Sequence, residues 1–164
     1  MATSNPNGFT AIGPILSVNS YIKRTNAIIY PRDMVHMDPV GGKVSVATAG
    51  STNLLGIAIG YYLAADTHIE VADDPDQNYY VQLKGTTASV QTDVGRNVDL
   101  LATAGNVTFL SSRQRAGSGA VTLATAQLRI LALHPVDGAT ASGRVRVVIN
   151  EHHYAKKTGG VASA

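Results

Sequence analysis

Residues 67–83 read Thr-His-Ile-Glu-Val-Ala-Asp-Asp-Pro-Asp-Gln-Asn-Tyr-Tyr-Val-Gln-Leu, with turn-forming residues between two strand-like runs. The first run, residues 67–71, alternates polar and apolar side chains as a half-buried β-strand does. Residues 79–83 resume the strand pattern. Asp, Pro and Asn favour tight turns because their side chains or rings fix the local backbone. The stretch therefore predicts a β-hairpin.

Short strand-like segments recur along the rest of the chain. In residues 55–61, bulky side chains share one face while Gly56, Ala58 and Gly60 form the other, which indicates that something packs closely on the small face. Short strands separated by turns predict an all-β fold, a small antiparallel β-barrel or sandwich. The remaining predicted strands are 27–30, 34–37, 43–46, 107–110, 128–133 and 144–149, and residues 93–100 are predicted to form a tight turn that leads into a short strand.

The composition agrees with a β-rich fold. Charged residues make up 15% of the 164 residues, against about 25% in an ordinary soluble domain. Val, Ile and Thr account for much of the chain, and β-branched side chains suit a pleated sheet. These values exclude a coiled coil, a charged disordered chain and a helical bundle. They also leave little charge for an exposed surface.

Three regions are predicted. Residues 1–27 are rich in Asn, Ser, Thr, Gly and Pro with spaced apolar side chains, which is typical either of a first edge strand or of an extended arm that docks on a neighbouring subunit. Residues 28–154 form the β-barrel domain. Residues 155–164 are predicted to be a flexible C-terminal tail.

The sequence contains no recognisable catalytic or metal-binding motif. The chain has no Cys, and the 74–78 loop has calcium-ligand spacing but lacks the Gly and the Glu that such a loop needs. A small hydrolase would require His36, His68 and His134 to converge in the fold. We therefore expect a protein that is not an enzyme and has no cofactor and no metal.

The distribution of charge and hydropathy bears on partners. The formal net charge is +2 and the basic residues are scattered, so we expect no direct binding of nucleic acid. The longest weakly polar run, residues 54–65, is shorter than the roughly 20 residues that a membrane-spanning helix needs. The N-terminus lacks the features of a secretory signal. We expect synthesis in the cytoplasm and no membrane partner.

Four segments together resemble the head decoration, or capsid cement, proteins of tailed bacteriophages. They are residues 33–44, 54–60, 69–82 and 93–100, with the Asp-Asp-Pro-Asp-Gln and Asp-Val-Gly-Arg-Asn-Val-Asp turns the most specific, and the resemblance covers about residues 28–150. It implies a small β-barrel bound outside an icosahedral shell, commonly as a homotrimer. The implied partner is the phage major capsid protein, and the implied location is the outer surface of the virion.

A cement function would explain the low charge, because interfaces are depleted in Lys and Glu. Tyr suits contact surfaces that have one apolar and one wet end. Two alternatives stay open: another virion or tail component or a carbohydrate-binding β module, which the absence of Trp disfavours, and the small hydrolase above. The candidate interface residues are Phe9, Ile12, Ile15, Leu16, Tyr21, Tyr61, Tyr62, Tyr79 and Tyr80.

Overall fold

A computed structural model describes residues 7–85, 88–117 and 126–155. These residues hold twelve β-strands, one 3-10 turn at Gln91–Asp93 and no α-helix. Apart from residue 155, the predicted C-terminal tail lies outside the described residues. The strands are β1 (Thr10–Ile12), β2 (Val18–Ile22), β3 (Met34–Met37), β4 (Val44–Val46), β5 (Leu54–Ala58), β6 (His68–Ala72), β7 (Asn78–Gln82), β8 (Asn97–Val98), β9 (Leu100–Leu101), β10 (Arg115–Ala116), β11 (Leu128–Leu133) and β12 (Arg144–Ile149).

Ten of the strands form two antiparallel five-stranded sheets. Sheet I has the order β1-β7-β12-β11-β8, and sheet II has the order β2-β6-β5-β3-β4. The remaining pair, β9 and β10, is also antiparallel. Strands β3 and β4 pair with each other, as do β11 and β12. The fold is thus an all-β sandwich, which confirms the predicted class.

The main core lies between the two sheets. Val145 and Val147 of β12 point inward from sheet I and are fully buried, and their alternation with arginines reflects the two-residue period of a strand. Met34 and Leu54 of sheet II belong to the same apolar cluster. Phe9 joins them, with its ring edge-on to Tyr79 at a centroid distance of 6.2 Å. The N-terminal segment therefore completes the core of its own chain.

Sheet II is apolar on both faces. Leu55, Ile69 and Val71 form a second core on the face away from sheet I, and Ile29 covers them. The sheet curls until the residue after β2, Lys23, bridges Val44 of the opposite edge strand. One bridge is not a continuous ladder, so a closed barrel is not shown.

The 67–83 stretch does not form the predicted hairpin. Strand β6 pairs with β2 and β5 in sheet II, whereas β7 pairs with β1 and β12 in sheet I. The Asp-Pro turn therefore carries the chain from one sheet to the other. Asp74 Oδ1 accepts a 2.9 Å hydrogen bond from the Asp76 amide, and the Gln77 side chain donates to the Ile12 carbonyl of β1 at 2.8 Å. These bonds fix the turn between the layers.

The N-terminal segment is not a free arm in the described residues. Strand β1 pairs with β7 at the edge of sheet I, and β2 pairs with β6 at the edge of sheet II. The described part of residues 1–27 therefore contributes one edge strand to each sheet.

Three predicted strands differ in detail. Residues 27–30 make one bridge, from Ile29 to Tyr62, rather than a strand, and residues 107–110 form turns. In β5 the alternation shifts at Gly56, because the pairing with β3 is irregular there. A Cβ on Gly56 would lie 1.8 Å from the Ala72 carbonyl oxygen, so the close neighbour of the small face is the chain's own strand β6.

Candidate functional site

The surface carries many apolar side chains. Among the described residues, fourteen large hydrophobic side chains are exposed. Single exposed apolar side chains are normal, whereas grouped ones mark contact surfaces. Two sequence-local groups stand out. We call Ile15, Leu16, Val18 and Ile22 the N-terminal edge, and the second group is the turn that holds Val107, Phe109 and Leu110.

The N-terminal edge lies where both sheets end. Strands β1 and β2 are the outermost strands of sheets I and II, and the loop that joins them carries Ile15 and Leu16. Leu16 is 76% exposed, and Val18 and Ile22 are about half exposed at 49% and 54%. Two-residue spacing puts Val18 and Ile22 on one face of β2. An edge strand with exposed apolar side chains is a template for pairing with another chain.

A buried carboxylate holds β2 in place. Asp73, at the end of β6, accepts hydrogen bonds from Ser17 Oγ at 2.6 Å and from Asn19 Nδ2 at 2.8 Å. The Tyr21 hydroxyl also donates to it. Burial opposes ionisation of Asp73, but the bonds from Ser17, Tyr21 and Asn19 outweigh it and lower its pKa. Burial raises the pKa of Tyr21, and the hydrogen bond to Asp73 is the next largest cause of this rise.

An open groove of about 540 Å³ lies over this cluster. The residues that line it are Ser17, Asn19, Tyr21, Asp73, Pro75 and Tyr154. The Tyr154 hydroxyl lies 3.2 Å from that of Tyr21. The groove presents hydroxyl, amide and phenol groups, although the Asp73 carboxylate already has partners from within the chain.

The Asn106 side chain caps the apolar turn. The Asn106 Oδ1 atom accepts hydrogen bonds from the amides of Thr108 and Phe109 at 2.9 and 3.2 Å. This local capping exposes Phe109, which is 68% accessible. The Tyr30 ring lies against Gly105, at the base of the turn. The centroids of the Tyr30 and Tyr61 rings are 5.3 Å apart.

The structure separates the nine predicted interface residues into three groups. Ile15 and Leu16 are exposed, as an interface requires. Phe9 and Tyr79 are fully buried in the core, so they are unavailable to a partner and their assignment is corrected. Both large rings pack into the core. The polar residues around Phe9 in the sequence did not indicate that its ring would be buried. The half-buried group is Ile12, Tyr21, Tyr61, Tyr62 and Tyr80.

Two residues of the N-terminal edge were missing from the predicted interface. Val18 and Ile22 lie on one face of β2 with Ser20 between them, and period-two spacing in the sequence was the signal for this shared face. Phe109 was missed because residues 107–110 were read as a strand. Its exposure depends on the Asn106 turn instead.

The three histidines of the hydrolase alternative have separate local partners. His36 Nε2 bonds Ser45 Oγ at 2.8 Å, and His68 contacts its neighbour Thr67. His134 belongs to the other sheet and lies 2.7 Å from Asp137. Within the described ranges, no group of three or more His, Cys, Asp or Glu side chains could hold a metal ion.

Comparisons with known proteins give no assignment. No protein-family model matches this chain, and no curated protein matches it. In the part of the chain that the structure describes, no helix is long and apolar enough to cross a bilayer.

Proposed function

We propose that this chain is a structural virion protein that binds the outside of a phage icosahedral capsid as trimers. In this proposal it cements neighbouring major capsid proteins against expansion and internal pressure. The observation that carries it is the N-terminal edge, where two sheets end together with Ile15, Leu16, Val18 and Ile22 exposed. The resemblance of the turn segments to capsid cement proteins supports the same proposal.

Modest contacts suffice for such a protein. Burial of one exposed Val, Leu or Ile side chain contributes about 1.5–3 kcal/mol when complete. The edge of β2 can also add backbone hydrogen bonds to a neighbouring strand. A trimer that engages several shell subunits gains avidity of about 10²–10⁴ over one contact. The summed binding free energy opposes separation of the shell subunits that the trimer joins.

The test adds the purified chain to expanded shells of the phage that encodes it, prepared without the chain. We expect saturable, stoichiometric binding in a sedimentation assay and a higher temperature of shell rupture. Absence of binding to every shell form would reject the proposal.

A matched pair of variants tests whether the N-terminal edge is needed for shell binding, either by direct contact or through formation of the trimer. Val18→Lys/Ile22→Lys places two charges on the N-terminal edge and should abolish binding. Val40→Lys/Val136→Lys places the same charges at two other apolar positions, which are 83% and 86% exposed, and should bind normally. Equal loss in both variants would assign the effect to net charge rather than to this edge.

A carbohydrate-binding module is the second candidate, and the groove over Asp73 favours it. Tyr21 and Tyr154 with Asn19 supply the phenol and amide groups that recognise sugar hydroxyls. A glycan array tests this candidate, with Tyr154→Ala as the variant that should remove binding. Saccharide binding by the native chain together with no binding to shells would reverse the ranking.

A further inference from the structure

Sheet I carries an unbalanced charge. The charged residues in its five strands are Arg129 of β11 and Arg144 and Arg146 of β12, and these strands contain no acidic residue. The sequence hides this grouping because the three arginines come from two strands separated by a loop. The fold therefore concentrates positive charge that looks scattered along the chain.

Strand register places the three arginines on one face. Arg144 and Arg146 are two residues apart, so they project from the same side of β12, opposite the inward Val145 and Val147. Arg129 pairs with Val148, which makes it a diagonal neighbour of Arg146 at about 7–8 Å between Cα atoms.

Tyr80 extends this outer face. It pairs directly with Arg146 across β7 and β12. Its ring lies edge-on to His134 at a centroid distance of 4.8 Å. Tyr80 is half-buried, and it was predicted as an interface residue from sequence.

Two of the arginines lack an acidic partner. Arg144 Nε bonds Asp137 Oδ2 at 2.9 Å, and Asp137 also contacts His134. All eleven acidic side chains of the chain fall within the described residues, yet none forms an ion pair with Arg129 or Arg146. Arg129 Nε donates to the Asn97 amide oxygen at 3.2 Å, and the buried Nε of Arg146 has no hydrogen-bond acceptor in the described structure.

We propose that the outer face of sheet I, centred on Arg129 and Arg146 with Tyr80 beside them, docks a carboxylate-rich surface of a protein partner. Arginine suits this task because its planar guanidinium bonds a carboxylate in a bidentate geometry. Arg and Tyr are also the residue types enriched at the centres of protein interfaces. The proposal goes beyond capsid decoration, because it concerns a different face from the N-terminal edge.

Nucleic acid fits the face less well than an acidic protein. A duplex-binding protein typically neutralises about 6–10 phosphates, and this sheet offers three arginines, one of them bonded to Asp137. Single-strand binders present aromatic rings on which successive bases stack. Here the aromatic residue beside the arginines is Tyr80, and its ring is already edge-on to His134.

The experiment measures binding of the full chain to fluorescent poly-L-glutamate and to duplex DNA of equal charge by anisotropy. We expect binding of poly-L-glutamate that weakens as ionic strength rises. Arg129→Gln/Arg146→Gln should weaken it at least about tenfold, because both unpaired guanidinium groups are lost. The control, Lys43→Gln/Arg113→Gln, removes two exposed charges outside sheet I and should weaken it less than about threefold.

Each other outcome overturns the proposal. Native protein that does not bind poly-L-glutamate, or equal losses in the two double variants, would show that the face is not a carboxylate site. Tighter binding to duplex DNA that the sheet I variant removes would assign the face to nucleic acid. If the double variant does not fold, Arg129→Glu alone, at an exposed position, takes its place with the same expected loss.

Discussion

Gly56 allows strand β6 to approach strand β5 closely. Its φ angle is +149°, and a Cβ there would lie 1.8 Å from the Ala72 carbonyl oxygen. We expect Gly56→Ala to lower the free energy of unfolding by about 3 kcal/mol or more, because strand β6 would have to move. Urea denaturation measures the change. Gly50→Ala is the control, since nothing lies within 4 Å of that site, and equal effects of the two variants would contradict this explanation.

Asp73 links the N-terminal edge to the rest of the domain. Asp73→Ala removes the acceptor of three side-chain hydrogen bonds, from Ser17, Asn19 and Tyr21. We expect a loss of about 2–3 kcal/mol in the free energy of unfolding at neutral pH, because hydrogen bonds to a charged group are strong. Asp76→Ala, an exposed carboxylate of the same turn, should change it by less than about 0.5 kcal/mol. An Asp73→Ala protein as stable as the native one would refute the role of this cluster.

His152 makes stability depend on pH. Burial, partly offset by a backbone hydrogen bond at Leu55, lowers its pKa in the folded protein. Below about pH 6.5 the unfolded chain therefore binds a proton that the folded chain does not, and stability falls by up to about 1.4 kcal/mol per pH unit. His152→Asn should remove this part of the pH dependence in urea titrations between neutral and acidic pH.

Comparing the native protein with His152→Asn separates the effect of His152 from that of Asp33, which changes stability with pH in the opposite direction. Burial raises the pKa of Asp33 to about 6, so the folded state takes up a proton there first and gains stability as the pH falls. Asp33 is present in both proteins and cancels in their difference. His68→Asn, at an exposed site, is the control. A pH dependence that His152→Asn leaves unchanged would be inconsistent with a neutral buried imidazole.

Strand β2 lies at an edge of sheet II, where another chain can pair with it. Within the described ranges its outer edge pairs with no strand, apart from the bridge from Lys23 to Val44 directly after it, and its Val18 and Ile22 side chains are exposed. We expect the native chain to form trimers in analytical ultracentrifugation and Val18→Lys/Ile22→Lys to be monomeric, because charged side chains on an edge oppose pairing. A double variant with native molecular mass would place the self-contact elsewhere.

Strand content was predictable from sequence, and the connections between strands were less so. Alternation identified β6 because one face of that strand is largely buried and period two records that burial. The Asp-Pro turn was predicted, but its composition is the same whether the chain returns to one sheet or crosses to another. The crossing depends on contacts such as Ser17 with Asp73, 56 residues apart, which no local pattern contains.

The candidate interface was predictable where it depends on local sequence. Ile15 and Leu16 lie in a Gly- and Pro-containing loop, so their exposure follows from the sequence around them. Phe9 could not be placed in this way, because whether its ring enters the core depends on where β1 pairs. The arginine face likewise requires the register of β11 and β12.

For the whole molecule, low charge and exposed apolar residues have one common explanation. A chain with 15% charged residues and fourteen exposed large hydrophobic side chains among those described is suited to contacts with other subunits. The N-terminal edge and the outer face of sheet I are distinct surfaces, so the contacts proposed for them are compatible in one subunit. Linked contacts of this kind give avidity without a large single interface.

We propose that this chain cements a phage capsid from the outside. The decisive experiment is a cryo-EM reconstruction of heads assembled with the chain, compared with heads assembled without it. We expect added trimeric density on the outer lattice, into which the β-sandwich fits with its N-terminal edge against a neighbouring subunit. Identical reconstructions, or the sandwich found only in the tail or inside the shell, would contradict it.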